Sequence, residues 1–211
     1  MIVHDVEQGT DAWFELRLGV PTASDFGKVI TPKKGELSTQ GVSYASKLAL
    51  ELFRGESMND FEGNEYTEHG KEHEDAAIAG YEFTNDVLVQ RVGFITDEKG
   101  RGCSPDGLVG DDGMVEVKCL KDVNHVSEAI KYLLKNEFDP KYIPQTQGQM
   151  MIAKRKWCDL VFHAPNCPQH IVRQYPDDKY QETMDKALDS VLEMRDFALS
   201  WLKCENKEIE K

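Results

Sequence analysis

The chain has 211 residues, 25 Lys and Arg against 38 Asp and Glu, and a formal net charge of −13. That length fits a single domain over residues 1–211, and 40% hydrophobic with 30% charged residues suits a chain that buries a core. These figures exclude a disordered polymer and a protein that grips nucleic acid through a uniformly basic surface, and no apolar run approaches the roughly 18 residues of a membrane span.

Met1-Ile-Val-His-Asp-Val-Glu7 has neither a basic nor an apolar leader region, so the expected location is the cytoplasm. Thr22-Ala-Ser-Asp25 reads as a capping box opening a short helix to about Ile30, and Lys33-Lys34-Gly35 as a basic loop. Val42 to Arg54 carries Ala45, Leu48, Ala49, Leu52 and Phe53 at helical spacing and stops before Gly55. Glu65 to Phe83 predicts another helix, with Tyr66, Ala76, Ala77 and Phe83 as candidates for burial.

The period then changes. Val87–Ile95, Gly102–Val109 and Met114–Leu120 are β-type runs, the last two joined by Gly110-Asp-Asp-Gly113. Helices follow over His125–Lys135 and Tyr142–Lys154, then a hairpin of Asp159–His163 and Ile171–Tyr175, then a long helix over Asp177–Lys203. The order describes a mixed α/β domain, a central sheet with an antiparallel meander and helices packed on it.

The acidity is concentrated. Gly55–Asp86 holds ten acidic residues against one lysine, so most of the excess lies in a short part of the chain. Such a block serves as a solvated face, a repulsive surface or a site for cations. The five cysteines contain no C-x-x-C pair and read as reduced thiols. Cys158, His163, Cys167 and His170 have gaps that fit a β-hairpin better than a zinc motif.

The chemistry concentrates in the meander. Met114-Val-Glu-Val-Lys-Cys-Leu120 alternates, so Val115, Val117 and Cys119 face one way and Glu116 and Lys118 the other. The tight turn folds Ser104-Pro-Asp-Gly107 back alongside, where Asp106 and Glu116 converge with Lys118 beside them. Two carboxylates make a hard oxygen site suited to Mg²⁺ or Mn²⁺, and a lysine there can orient a metal-bound water. The competing reading is a surface Glu–Lys cross-strand pair; Pro-Asp ten residues earlier and an apolar opposite face favour the functional one. Glu72, Glu74 and Asp75 on the acidic helix are further candidates to face the metal. The same segment spells His69-x-x-Glu72-His73, an inverted zinc-protease pattern, but that reading leaves Asp106, Glu116 and Lys118 unexplained.

Pro105-Asp106-x9-Glu116-x-Lys118 resembles the PD-(D/E)xK nuclease signature. More narrowly, the chain is similar to the phage lambda exonuclease (YqaJ-type viral recombinase) family along most of its length. The matching blocks are Val6–Trp13, Leu16–Val20, Thr22–Ser24, Gly70–Asp75, Cys103–Leu108 and Glu116–Cys119, with Gln145-Thr-Gln-Gly-Gln-Met150 on the family's glutamine-bearing helix.

The resemblance implies a restriction-endonuclease-like core and a Mg²⁺-dependent exonuclease, with two ions per site and Mn²⁺ able to substitute. It would degrade the 5′-terminated strand of linear double-stranded DNA and leave a 3′ single strand for recombination. By motif position, Asp106, Glu116, the Val117 carbonyl and Glu74 would hold metal, and Lys118 would act on the nucleophilic water. Gln147 would sit near the scissile phosphate, and Arg17 with Ser24 would bind the 5′-phosphate. The resemblance further implies a ring-shaped homotrimer, a single-strand annealing protein as partner, and a phage or prophage origin in a bacterial host. A structure-specific endonuclease of the same superfamily and a non-catalytic DNA-end-binding scaffold are the alternatives. The Lys33–Gly41 and Asp122–Lys141 regions depart from the family pattern.

Overall fold

The computed structural model describes residues 1–58 and 65–209, with side chains left undescribed for 59–72 and 205–211. Tyr66, Glu68, His69 and Glu72 therefore lie outside the described side chains, and with them the His69–His73 pattern. The elements run β1 (Ile2–His4), α1 (Asp11–Arg17), a 3₁₀ turn (Ala23–Lys28), α2 (Gly41–Arg54), α3 (Glu65–Asn85), β2 (Val89–Gln90), β3 (Phe94–Thr96), β4 (Gly102–Cys103), β5 (Gly107–Val109) and β6 (Gly113–Cys119). Then come α4 (Asp122–Lys135), a short 3₁₀ turn (Pro140–Tyr142), α5 (Ile143–Ala153), β7 (Trp157–His163), β8 (His170–Gln174) and α6 (Asp178–Ile209).

The strands form a five-stranded mixed sheet, β2-β5-β6-β7-β8, and a small antiparallel sheet, β1-β3-β4. Within the large sheet β6 and β7 are parallel and every other pairing is antiparallel. The parallel pair follows from the connection, because α4 and α5 lie between β6 and β7 and a crossover of that length returns the chain in the same direction. The β5–β6 hairpin forms as expected, with Gly107 opposite Val115 and Val109 opposite Gly113.

The single runs expected at Val87–Ile95 and Gly102–Val109 are each split between the two sheets. Gly93 marks one break: a Cβ there would lie 1.8 Å from the Val6 carbonyl oxygen, so the chain passes too close for any side chain. Ser104-Pro105-Asp106 marks the other, since proline brings no N–H to a ladder. Asp106 therefore stands at the point where the chain changes sheets.

Helix α3 covers one face of the large sheet, with Ala77, Ile78 and Tyr81 buried against Val115, Val117 and Val161. Phe83, expected inside, is 91% exposed, and Ala76 is exposed too. Two residues beyond Tyr81, Phe83 is turned roughly 200° around the helix axis, away from the sheet. On the other face lie α5 and the 3₁₀ turn at Ala23–Lys28, with α2 and α6 packed together behind them; Phe26, Met114, Met150 and Met184 meet there.

The expected helix at Thr22–Ile30 is a 3₁₀ turn, and Thr22 makes no side-chain cap. Its hydroxyl is used instead by Arg17 and Ser24. Helix α1 has no counterpart among the sequence-derived elements; Thr10 caps it by accepting from the Trp13 N–H. Cys158 is buried on β7 and pairs in register with Gln174, whereas His163 ends the same strand opposite Cys119. Among the described residues no three His, Cys, Asp or Glu side chains gather into a metal cage, so the Cys158–His170 spacing is that of the β7–β8 hairpin.

Candidate active site

Strand β6 sends Glu116 and Lys118 toward α5 and packs Val115 and Val117 on α3, the alternation expected of its sequence. Asp106, one residue before β5, meets the neighbouring edge of β6, where its Oδ2 accepts the Val117 N–H at 2.6 Å. A strand residue points its N–H and C=O to the same edge, so the Val117 carbonyl lies on the Asp106 side as well.

Glu116 is 3% exposed and its carboxylate is held by three donors. Oε1 accepts from Lys118 Nζ at 2.7 Å and from Gln145 Nε2 at 2.6 Å; Oε2 accepts from Gln149 Nε2 at 2.7 Å. The Gln145 Oε1 in turn accepts from Lys118 at 3.0 Å. Burial works against the Lys118 ammonium, but Glu116 and then Asp106 outweigh it and keep its pKa above the ordinary lysine value. Asp106 is pushed well above the usual carboxylate range, first by burial, then by the negative charges of Glu116 and Glu74.

Glu74 and Asp75 reach the same place from α3. Arg91, just after β2, clasps both: Nη1 donates to Glu74 Oε1 at 2.6 Å and to the Asp106 carbonyl at 3.2 Å, while Nη2 donates to Asp75. Glu74 and Asp75 form a wall shared by two clefts. One, of about 610 Å³, contains Asp106 and Arg91. The other, of about 930 Å³, contains Arg17.

Arg17, the last residue of α1, lies over the Trp13 ring at 4.1 Å from its centroid. Trp13 is itself fixed by its indole N–H, which donates to the Gly93 carbonyl at 3.1 Å and the Ser104 hydroxyl at 3.0 Å. The guanidinium reaches the hydroxyls of Thr22 (3.2 Å) and Ser104 (3.5 Å), and among the described residues no carboxylate pairs with it. Burial lowers its pKa. Exposed Ser24 stands next to it, 3.3 Å from Thr22 by their hydroxyl oxygens. A half-buried guanidinium with hydroxyl neighbours has donors left with which it can bind an anion.

The structure brings together Asp106, Glu116, Val117, Lys118 and, across the shared wall, Glu74, Arg17 and Ser24. Gln147 is not among them. Its amide donates to the Tyr175 carbonyl at 2.8 Å and accepts from the Asp177 N–H at 2.9 Å, tying α5 to the start of α6. The glutamines at the cluster are Gln145 and Gln149, four residues apart on one face of α5, and Gln147 points away from that face. That i, i+4 spacing was the available signal in the sequence; Arg91, Trp13 and Ser104 carry none without the fold.

Asp106, Glu116 and Glu74 do not stand as a closed three-ligand cage, but their oxygens are of the kind a hard divalent cation takes. Two carboxylates, half-buried Asp106 and buried Glu116, stand close enough to raise the pKa of the first, with a further carboxylate and a strand carbonyl on the same side.

Comparison with known proteins places these blocks in a family. Residues 12–156 match the family model of the YqaJ-like viral recombinase domain. Among solved structures, the alkaline exonuclease LHK-Exo from Laribacter hongkongensis matches at 30% identity with a TM-score of 0.81, over 95% of this chain and 100% of that one. Its complex with dAMP matches at 29% identity and the same TM-score, over the same shares of both chains. A phage-related exonuclease from Haemophilus somnus 129PT shares the fold at 17% identity and a TM-score of 0.70, over 87% of this chain and 96% of that one. A comparison with curated proteins returns no match. Residues 12–156 contain Arg17, Glu74, Asp106, Glu116 and Lys118, and on that match the chain belongs to the family of YqaJ-like viral recombinase domains.

Proposed function

We propose that this protein is a Mg²⁺-dependent 5′-to-3′ exonuclease that shortens one strand of linear double-stranded DNA and leaves a 3′ single strand for recombination. The observation that carries the reading is Arg17: a half-buried guanidinium stacked on Trp13 among hydroxyl groups, one carboxylate wall away from Asp106. A 5′-phosphate seated there sets the next phosphodiester toward the acidic cluster, so position relative to the end selects the bond. The relatives support it, since the Laribacter protein is an alkaline exonuclease and one of its structures holds dAMP, a mononucleotide of the kind exonucleolytic cleavage releases.

In this reading Asp106, Glu116, Glu74 and the Val117 carbonyl would hold two Mg²⁺, for which Mn²⁺ could substitute. When bound, the cations neutralise charge growing on the phosphate and acidify a coordinated water. Lys118, held between Glu116 and Gln145, orients that water. Gln145 takes the place beside the reacting phosphate that the sequence reading assigns to Gln147. Arg17 and Ser24 bind the terminal phosphate, and Trp13 supports the guanidinium from behind. The partners are double-stranded DNA ends, two further copies in a ring and a single-strand annealing protein, in the cytoplasm of a bacterial host of a phage or prophage.

The test is digestion of linear duplex labelled at either 5′ or 3′ ends, bearing 5′-phosphate or 5′-hydroxyl, with closed circular DNA as control. The expected result is release of 5′ label as mononucleotide, a preference for the 5′-phosphate that Arg17→Gln removes, and intact circles. Lys118→Ala should lose about 10²-fold or more in rate. Cutting of circles would replace this reading with an endonuclease, and label retained with the ends bound would replace it with a scaffold.

A further inference from the structure

We propose that Gln149 is a positioning residue that sets how Glu116 presents its carboxylate to a divalent cation. The inference rests on the reading of Asp106 and Glu116 as a cation site. Gln149 is 1% exposed and its amide donates to Glu116 Oε2 at 2.7 Å. Lys118 and Gln145 already occupy both acceptor positions of Oε1, so a cation can approach Glu116 only through the second lone pair of Oε2. The Gln149 bond fixes which of the two Oε2 lone pairs remains free. Together the two amides on α5 grip opposite oxygens of one carboxylate, and the carboxylate cannot turn.

A second observation separates this from an ordinary buried hydrogen bond. The Gln149 Oε1 is buried and has no hydrogen-bond partner among the described residues. A buried acceptor without a partner is destabilising. Turning the amide over would set its oxygen against Glu116, so the orphan is the consequence of directing the donor at the carboxylate. The unpaired oxygen offsets part of what the bond to Glu116 contributes to stability, and the amide is oriented to serve the carboxylate.

The test uses Gln149→Met, which keeps the volume and removes the donor. Mn²⁺ binding to the full chain without DNA is measured by electron spin resonance of the free ion, alongside the thermal midpoint of the metal-free protein. Loss of such an outer-shell bond to a ligating carboxylate weakens metal binding about 10–100-fold. The expected result is that loss of Mn²⁺ affinity with a thermal midpoint close to wild type, and a matching rise in the Mg²⁺ concentration that half-saturates cleavage. Unchanged Mn²⁺ affinity in a folded Gln149→Met overturns the proposal, as does a fall in thermal midpoint with affinity unaltered. Should that variant fail to fold, Gln149→Asn, which keeps the amide but shortens its reach by one methylene, is measured with the same expectations. Failure of the underlying reading looks different: wild type itself would then bind no Mn²⁺.

Discussion

Asp106 is a carboxyl group placed where folding alone would not put a charge. It is half-buried, it feels the charges of Glu116 and Glu74, and among the described residues its carboxylate accepts one hydrogen bond, from the Val117 backbone N–H. Asp106→Asn keeps that acceptor and removes the repulsion. In chelator at neutral pH the variant should therefore melt higher than wild type, by ~2–4 °C for each kcal/mol gained. The same variant should lose cleavage. Calorimetry with a labelled-duplex assay reads both, and a lower melting point would show that the acidic cluster does not strain the metal-free fold. Asp106, Glu116 and Lys118 were legible in the sequence because strand alternation and a tight turn are local rules. Gln147 was misread because three glutamines in five residues offer two helix faces, and only packing says which one meets β6.

At the scale of elements, α5 must sit close enough to β6 for two amides to reach one carboxylate. Gly148 lets it, because a Cβ at that position would lie 2.3 Å from the Phe26 ring in the 3₁₀ turn. Gly148→Ala should overpack the contact and lower stability by roughly 1–3 kcal/mol in urea unfolding. Activity under conditions where the variant is still folded should fall further than wild-type stability loss explains, since the push displaces Gln145 and Gln149 from Glu116. Wild-type activity in the folded variant would show that α5 yields without moving its amides. Helices α2 to α6 and the β5–β6 hairpin were readable from period and turn chemistry; α1 and the 3₁₀ turn at Ala23–Lys28 were not. The split of two runs between sheets was not, because its cause at Gly93 is a carbonyl of Val6, far away in the chain.

For the whole molecule, −13 is misleading as an average. The Gly55–Asp86 segment carries most of the excess and also supplies Glu74, whose charge Arg91 already shares. A chain so acidic should not hold duplex DNA by charge alone. Its binding to a 5′-phosphorylated duplex should be weak in chelator and strengthen at least tenfold with Ca²⁺, read by fluorescence anisotropy. Equal affinity in both buffers would show that the acidic cluster is not where DNA and cation meet.

By itself the sequence determined helices α2 to α6, the hairpin, the Asp106–Glu116–Lys118 triplet and the family blocks, because each depends on residues close together in the chain. The tertiary structure alone decided that β6 and β7 run parallel, that Arg17 rests on Trp13 with no carboxylate partner among the described residues, that Arg91 clasps the α3 carboxylates, and which glutamines face Glu116. Apart from the Trp13–Arg17 stack within α1, those are contacts between separate elements of the chain. Nothing in a local period encodes them, since they are set by which apolar faces bury one another when the layers close.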